Sequence, residues 1–399
     1  MSKQIQDAYI VAAVRTPVAR RNGAFRHIRP DDMLAKVLRD VVAKVPGLDA
    51  TEIGDVITGC AMPEAEQGMN VARIGLLLAG LPDGVPGITI NRFCASGLQA
   101  VADAANRIRL GEADVMIAAG TESMSAMPQI MGNKVSLNPE IFAHAENLSI
   151  AYGMGLTAEK VAQQWKVSRE DQDAFAVESH RRACAAIGAG HFADEILPYA
   201  VKSYAPGADG TVRIAERLVE HDEGPRPDAA ADTLGKLRPV FAARGSVTAG
   251  NSSQMSDGAA AVLLMSEAAL KRYDLAPIAR FASFAVAGVP PEVMGIGPVE
   301  AIPRALARAG VAMADLGWTE LNEAFAAQAL AVMRQLDMDP AKVNPLGGAI
   351  ALGHPLGATG AIRTATLMAA MQRDPGLRWG MISMCIGTGM GAAGVFERV

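Results

Sequence analysis

The 399-residue sequence predicts an α/β fold assembled from two similar halves, and three observations carry that expectation. Short apolar runs bounded by turn residues alternate with longer segments whose apolar positions recur at helical spacing. Forty glycines beside an aromatic content of 5% fit a protein with many tight turns. Third, the order turn, helix, strand, glycine turn occurs twice, once around Cys94 and once around His354.

Along the chain, Ala8–Val14 reads as a buried strand that stops at Arg15-Thr16-Pro17, because proline cannot continue a central ladder. Asp55–Gly59, Asp114–Gly120 and Ala259–Met265 read as further strands buried on both faces. After Cys94, Leu98, Val101, Ala105 and Ile108 fall on one helical face, so Cys94 sits at a helix N-terminus. Ser168 is placed to cap a helix, with Asp171 reaching back to it. A helix from about Glu323 carries Phe325, Ala329, Val332 and Leu336 on one face, with Asn322 at its boundary. Beyond His354, Ile362, Ala365 and Ala369 mark another helix, followed by the strand Trp379–Met384 and a glycine turn. Residues from about 121 to 248 differ in texture, with methionine-rich turns, Pro206-Gly207-Ala208-Asp209-Gly210 and Gly224-Pro225-Arg226-Pro227, and read as an inserted loop region.

Bulk properties narrow the class. Half the residues are hydrophobic and 20% charged, enough for a large core and about two domains. A net charge of −5 gives no global attraction to nucleic acid. No apolar run reaches the ~18 residues of a membrane span. The cysteines at 60, 94, 184 and 385 lack CxxC spacing and point to free thiols in a reducing compartment, with cytoplasm the default. Met1–Asp7 shows no leader pattern, and the histidines form no metal-ligand spacing, so no metal is expected. Neither a phosphate-binding Gly-x-x-x-x-Gly-Lys loop nor a dinucleotide fingerprint is present.

Thiol chemistry remains. Cys94 needs help to ionise, and a helix start with an adjacent imidazole can give it. His354 stands in Gly347-Gly348-Ala349-Ile350-Ala351-Leu352-Gly353-His354-Pro355-Leu356-Gly357-Ala358-Thr359-Gly360, where the small residues are expected to clear space around an open ring suited to proton transfer. Cys385 precedes Gly387, Gly389 and Gly391, whose backbone can approach a ligand and offer it amides. Cys60 and Cys184 read as packing residues.

These three segments, with Asn322-Glu323-Ala324-Phe325-Ala326-Ala327-Gln328 and Thr248-Ala249-Gly250-Asn251-Ser252-Ser253-Gln254-Met255-Ser256-Asp257-Gly258-Ala259, closely resemble the thiolase family over essentially the whole chain. The resemblance implies a five-layer αβαβα fold of two duplicated halves. It divides the chain into an N-terminal half (1–120 plus 249–273), an inserted loop domain that binds coenzyme A (121–248) and a C-terminal half (274–399). It implies Cys94 as the acylated nucleophile, His354 as its activator and Cys385 as the acid/base at the acetyl Cα. Asn322 would hold an oxyanion-hole water, and the amides of Cys94 and Gly387 would form a second hole. Arg226 would lie near the adenine and phosphate end of coenzyme A, Ala249 and Ser253 along the pantetheine, and Met154 and Phe325 at its inner end. Coenzyme A is implied as co-substrate with acyl-CoA, with no permanently bound cofactor, and a homodimer or homotetramer as the assembly.

Thr388 interrupts the Cys-x-Gly-Gly-Gly run of many acetoacetyl-forming members, and Gly153 stands where some biosynthetic members have histidine. Both features resemble the degradative 3-ketoacyl-CoA thiolases, which is the activity the sequence is expected to have. The alternatives are an acetoacetyl-CoA-forming acetyltransferase and, in another class, a non-catalytic acyl-CoA or lipid carrier on the same scaffold.

Overall fold

The computed structural model describes residues 5–126, 136–206 and 210–399. The methionine-rich stretch and the turn at 206–210 fall largely outside these residues. In chain order the strands are β1 (Ala8–Arg15), β2 (Ala19–Arg20), β3 (Ile53–Gly59), β4 (Gly87–Ile90), β5 (Val115–Ser123), β6 (Tyr199–Pro206), β7 (Val212–Val219), β8 (Ser256–Ser266), β9 (Ala279–Gly288), β10 (Trp318–Leu321), β11 (Trp379–Ile386) and β12 (Met390–Arg398). Each strand expected from an apolar run is present. Strands β4, β9, β10 and β12 had no such signal: two are short, and β9 and β12 are alanine- and glycine-rich.

The large sheet runs β10-β11-β12-β9-β1-β8-β5-β3-β4, with β2 paired to β8. Its two sides have the same pairing. From β1, the neighbours are antiparallel β8, antiparallel β5, parallel β3 and parallel β4. From β9, they are antiparallel β12, antiparallel β11, parallel β10 and then a parallel bridge from Thr319 to Val343 where a fifth strand would lie. The two first strands meet in a short antiparallel contact, Tyr9 opposite Arg280 and Ile10 opposite Ala279. Cys94 follows β4, and His354 follows the bridged Val343, so the duplicated order places both at equivalent helix starts.

Between the halves lie two inner helices, Ser96–Arg109 and Thr359–Arg373. Their Leu98, Val101, Ile108, Leu367 and Met371 share one buried cluster with strand residues of both halves, among them Ile57, Met116, Phe281 and Ile382. Outside the first half, Met33, Leu34 and Leu38 of the helix Pro30–Ala43 cover the other sheet face. Outside the second, Ile302 and Leu306 of the helix Gly297–Ala309 do the same. Helix, sheet, helix, sheet and helix make the five layers. Each fully buried Leu or Ile in them stabilises by about 1.5–3 kcal/mol relative to exposure.

The inner helices touch backbone to backbone at their first turns, and glycine makes that possible. A Cβ on Gly97 would lie 2.6 Å from Ala361 N, and one on Gly360 would lie 2.0 Å from Leu98 N. This corrects the sequence expectation that small residues after His354 clear space around its ring: they let the two halves close on each other. Gly389 and Gly391 are likewise packed against Val289 and Gly297 of the protein itself, not held open for a ligand.

Candidate active site

The nucleophile candidate is presented by a strained turn. Phe93 has φ +45°, a left-handed conformation uncommon outside glycine. Asn91 Oδ1 accepts from Phe93 N at 2.8 Å and Ser96 Oγ donates to Phe93 O at 2.7 Å, so the chain turns sharply through 93–95 into the inner helix. Cys94, partly buried, sits on that turn. The nearby amides of Gly387 and of Cys94 itself favour the thiolate, but burial outweighs them and pushes the thiol up to about 11. At rest the group is a thiol.

His354 follows the short helix Ala349–Leu352 through Gly353, whose φ of +94° aims the next residue inward. The ring is enclosed, 4% exposed, and not the open imidazole expected. Its Nδ1 lies 2.7 Å from Thr359 Oγ1 and its Nε2 lies 3.3 Å from Asn322 Nδ2. Burial, with the charge of Arg363 adding to it, lowers its pKa to about 3, so the imidazole is neutral at rest, with one ring nitrogen free of a proton. The turn Leu356–Ala358 beyond it packs against the Cys94 turn.

Asn322 follows the last residue of β10 and is 2% exposed, and its Oδ1 accepts no hydrogen bond from the described residues. Cys385, near the end of β11, is fully buried in an apolar cluster with Ala158, Met294 and Phe325. Desolvation raises its pKa far above that of an ordinary thiol, and the nearby Cys94 raises it further. Gly387 brings its amide to Cys94, and a side chain there would face Met154 Sδ and the Phe93 ring. Cys94, His354, Cys385, Asn322 and Gly387 are thus drawn together from turns of both halves. The set combines a thiol, a neutral base, a second thiol and inward-facing amides, which suits acyl transfer.

The residues singled out for coenzyme A fall in two groups. Arg226 and Ala249 line one cavity of about 240 Å³ with His180 and Gln254, and Arg226 N donates to His180 Nδ1 at 3.1 Å. Phe325 and Met154 lie inward, Phe325 against Cys385 and Met154 beside Gly387. Phe325 is the residue before the helix Ala326–Gln335, not a member of its face, because its backbone is extended and bridges Ser252. Ser253 N donates to Ala324 O at 2.9 Å, next to Phe325. Phe241, missed in the sequence, packs edge-on against Phe325 at 6.1 Å. A larger cavity, about 610 Å³ among Tyr152, Lys160, Arg169 and Arg244, is lined by none of these residues.

Three further residues hold the turns and had no sequence signal. Glu122, buried, accepts from Ala61 N and Gly357 N at 2.8 Å each and from Gln67 Nε2, which ties the turn after β3 to the turn after His354. Glu323 accepts from Ser179 Oγ, Asn344 Nδ2 and Ile350 N, fixing the segment that leads to His354. Thr359 orients the imidazole. A pattern search finds none of them, because the partners of Glu122 and Glu323 lie far away in sequence and a lone threonine such as Thr359 forms no pattern.

Known proteins share this arrangement along the whole chain. A family model described as the thiolase N-terminal domain matches residues 8–268, and one described as the thiolase C-terminal domain matches residues 275–398. The chain is 52% identical over 395 residues to a 3-ketoacyl-CoA thiolase of Bacillus subtilis, covering 98% of this chain and 100% of that protein. It is 43% identical over 413 residues to a beta-ketoadipyl-CoA thiolase of Pseudomonas aeruginosa, covering 99% and 100%. The crystal structure of the Bacillus anthracis acetyl-CoA acetyltransferase superposes with a TM-score of 0.89 at 39% identity, covering 100% of both chains.

Proposed function

The chain belongs to the thiolase family of acyltransferases, and from that premise we propose that it cleaves 3-ketoacyl-CoA with coenzyme A to acyl-CoA and acetyl-CoA. The observation that supports the residue roles is a convergence of segments: the strand that carries Cys385 and the turn after His354 both pack against the Cys94 turn, and Gly387 faces the Phe93 ring of that turn. Cys94 Sγ attacks the 3-keto carbon as His354 takes its proton. The Cα–Cβ bond then breaks and Cys385 protonates the departing acetyl-CoA carbon. The thiol of coenzyme A attacks the acyl group on Cys94, its proton returning to Cys385, and His354 gives its proton back to Cys94. The oxyanion of the first step lies against His354 and a water held by Asn322 Oδ1, and that of the second against the amides of Cys94 and Gly387. The reverse direction is a Claisen condensation.

Coenzyme A reaches this centre along Arg226, Ala249 and Ser253 to Met154 and Phe325, as co-substrate and without a permanent cofactor. The inserted loop domain (121–248) and the halves on either side of it (1–120 plus 249–273, and 274–399) are the units we assign. A homodimer or homotetramer in the cytoplasm, working in fatty acid degradation, completes the proposal. No helix among the described residues is long and apolar enough to cross a membrane.

A panel of 3-ketoacyl-CoA chain lengths tests the substrate. Activity on chains beyond four carbons is expected. Activity confined to acetoacetyl-CoA would instead assign the chain as an acetoacetyl-CoA-forming acetyltransferase.

A further inference from the structure

Gln254 stands between the two segments that the proposed chemistry has to keep in register. Its Nε2 donates to three main-chain carbonyls, Gly224 O at 3.0 Å, Ile350 O at 3.0 Å and Ala351 O at 3.1 Å. Gly224 leads into Arg226 at the outer cavity, which Gln254 also lines. Ile350 and Ala351 belong to the short helix Ala349–Leu352, whose last carbonyls have no partner inside the helix. That helix runs through Gly353 into His354. The backbone carbonyl of Gln254 accepts from His354 N at 3.2 Å and from Ser256 Oγ at 2.8 Å, and Ser256 Oγ lies 3.2 Å from the same His354 N.

The spacing leaves no slack. A Cβ on Gly224 would lie 2.3 Å from Ala351 O and 2.8 Å from Gln254 Nε2, so the two segments approach as closely as backbone allows. Gly224, Ile350 and Ala351 are all buried, and an aliphatic side chain at 254 would leave three carbonyl oxygens turned toward one another without a donor.

We propose that Gln254 is a positioning residue that clamps the coenzyme-A-binding segment 224–226 to the His354 turn, so that bound coenzyme A and the imidazole that serves Cys94 keep one geometry. The clamp rests on the coenzyme A and His354 roles proposed above, and it acts through both. Loosening it therefore changes cofactor affinity and turnover together. A role confined to folding lowers the active fraction, which reduces kcat and leaves KM alone.

Gln254→Ala should lower kcat in thiolysis about tenfold or more and raise KM for coenzyme A severalfold, the scale of a small misplacement of reacting groups. Ammonium chloride should restore part of both constants, because the ion supplies N–H donors to the three carbonyls, whereas sodium chloride at equal ionic strength should not. Product is read as acyl-CoA, so aminolysis of the acyl-enzyme is not counted. Gln254→Glu keeps the shape but replaces the donor with an acceptor, and it should show the same joint change if the alanine variant fails to fold. Constants in these variants within about twofold of wild type, or a fall in kcat alone that both salts leave equal, overturn the proposal. Wild-type enzyme that neither turns over nor becomes acylated on Cys94 would instead sink the reading of the site itself.

Discussion

The two halves of the molecule have the same strand order but use equivalent positions differently. At the helix starts both contribute to the site, Cys94 from the first half and His354 from the second. At the strand ends they diverge. Directly after β10 comes Asn322, whose buried Oδ1 has no partner among the described residues, and β11 carries Cys385 near its end. The corresponding β3 ends next to Cys60, and β5 ends in Glu122 and Ser123. Cys60 Sγ lies 3.8 Å from Glu122 Oε1, and burial with that carboxylate raises its thiol well above the ordinary range. At the strand ends the second half turns Asn322 and Cys385 toward the proposed site, while the first pairs its polar groups internally. Duplication therefore supplies the frame, and the residues at each strand end distinguish the two copies.

The sharpest way to break this comparison is to treat the two strand-end positions alike. Asn322→Ala should lower kcat by roughly 10²–10³ with a folded protein, as loss of one oxyanion-stabilising group does. Cys60→Ala should leave kcat within about twofold, since packing residues away from the chemistry shift stability instead. Steady-state kinetics on both variants checks the pair, and comparable losses in the two would erase the distinction.

The helix starts should respond symmetrically. Gly97→Ala and Gly360→Ala each drive a Cβ into the partner helix's backbone, at 2.6 Å and 2.0 Å. Each should cost about 1–3 kcal/mol, the scale of overpacking a tight contact. Denaturant unfolding checks this, and a loss confined to one of the two would mean that the halves are not joined at this point.

The smallest effect concerns a buried acid that the two halves place differently. Glu320 on β10 is buried next to the strand's last residue with Arg363 at 3.6 Å, while the residue before the last in β3 is Thr58 and that strand's buried acid, Asp55, pairs with Arg107 nearer its start. Burial raises Glu320 to about 7, with Arg363 and the Trp318 indole pulling it down. A carboxyl raised above its unfolded value keeps its proton in the folded protein after the unfolded chain has lost its own. Its contribution is therefore most favourable below the unfolded value of 4.5, declines as pH rises toward 7 and is flat above. Glu320→Gln should flatten that slope between pH 5 and 7 in thermal melts; an unchanged slope would place the titration elsewhere.

Much of this comparison was legible in the sequence because turns announce themselves. Gly97 after Cys94, and the glycines flanking His354, marked two helix starts, and the repeated order suggested that they were equivalent. The same glycines misled about the ring, since a missing side chain can admit either a ligand or another backbone, and only the packed structure shows that Gly360 meets Leu98. Strands β9 and β12 escaped because alanine and glycine fill many of their positions and give little hydrophobic contrast. Glu122, Glu323 and Gln254 escaped for another reason. Each holds main-chain groups of distant segments, and no local pattern records such contacts.

The central claim is that both helix starts serve one acyl-transfer centre in which Cys94 carries the acyl group. Intact-mass and peptide analysis of Cys385→Ala incubated with acetyl-CoA tests it most directly. The account predicts the mass of a single acetyl group, mapped to Cys94 and absent when Cys94 is also replaced by alanine. An acetyl group on any other residue, or none at all in folded protein, would contradict it.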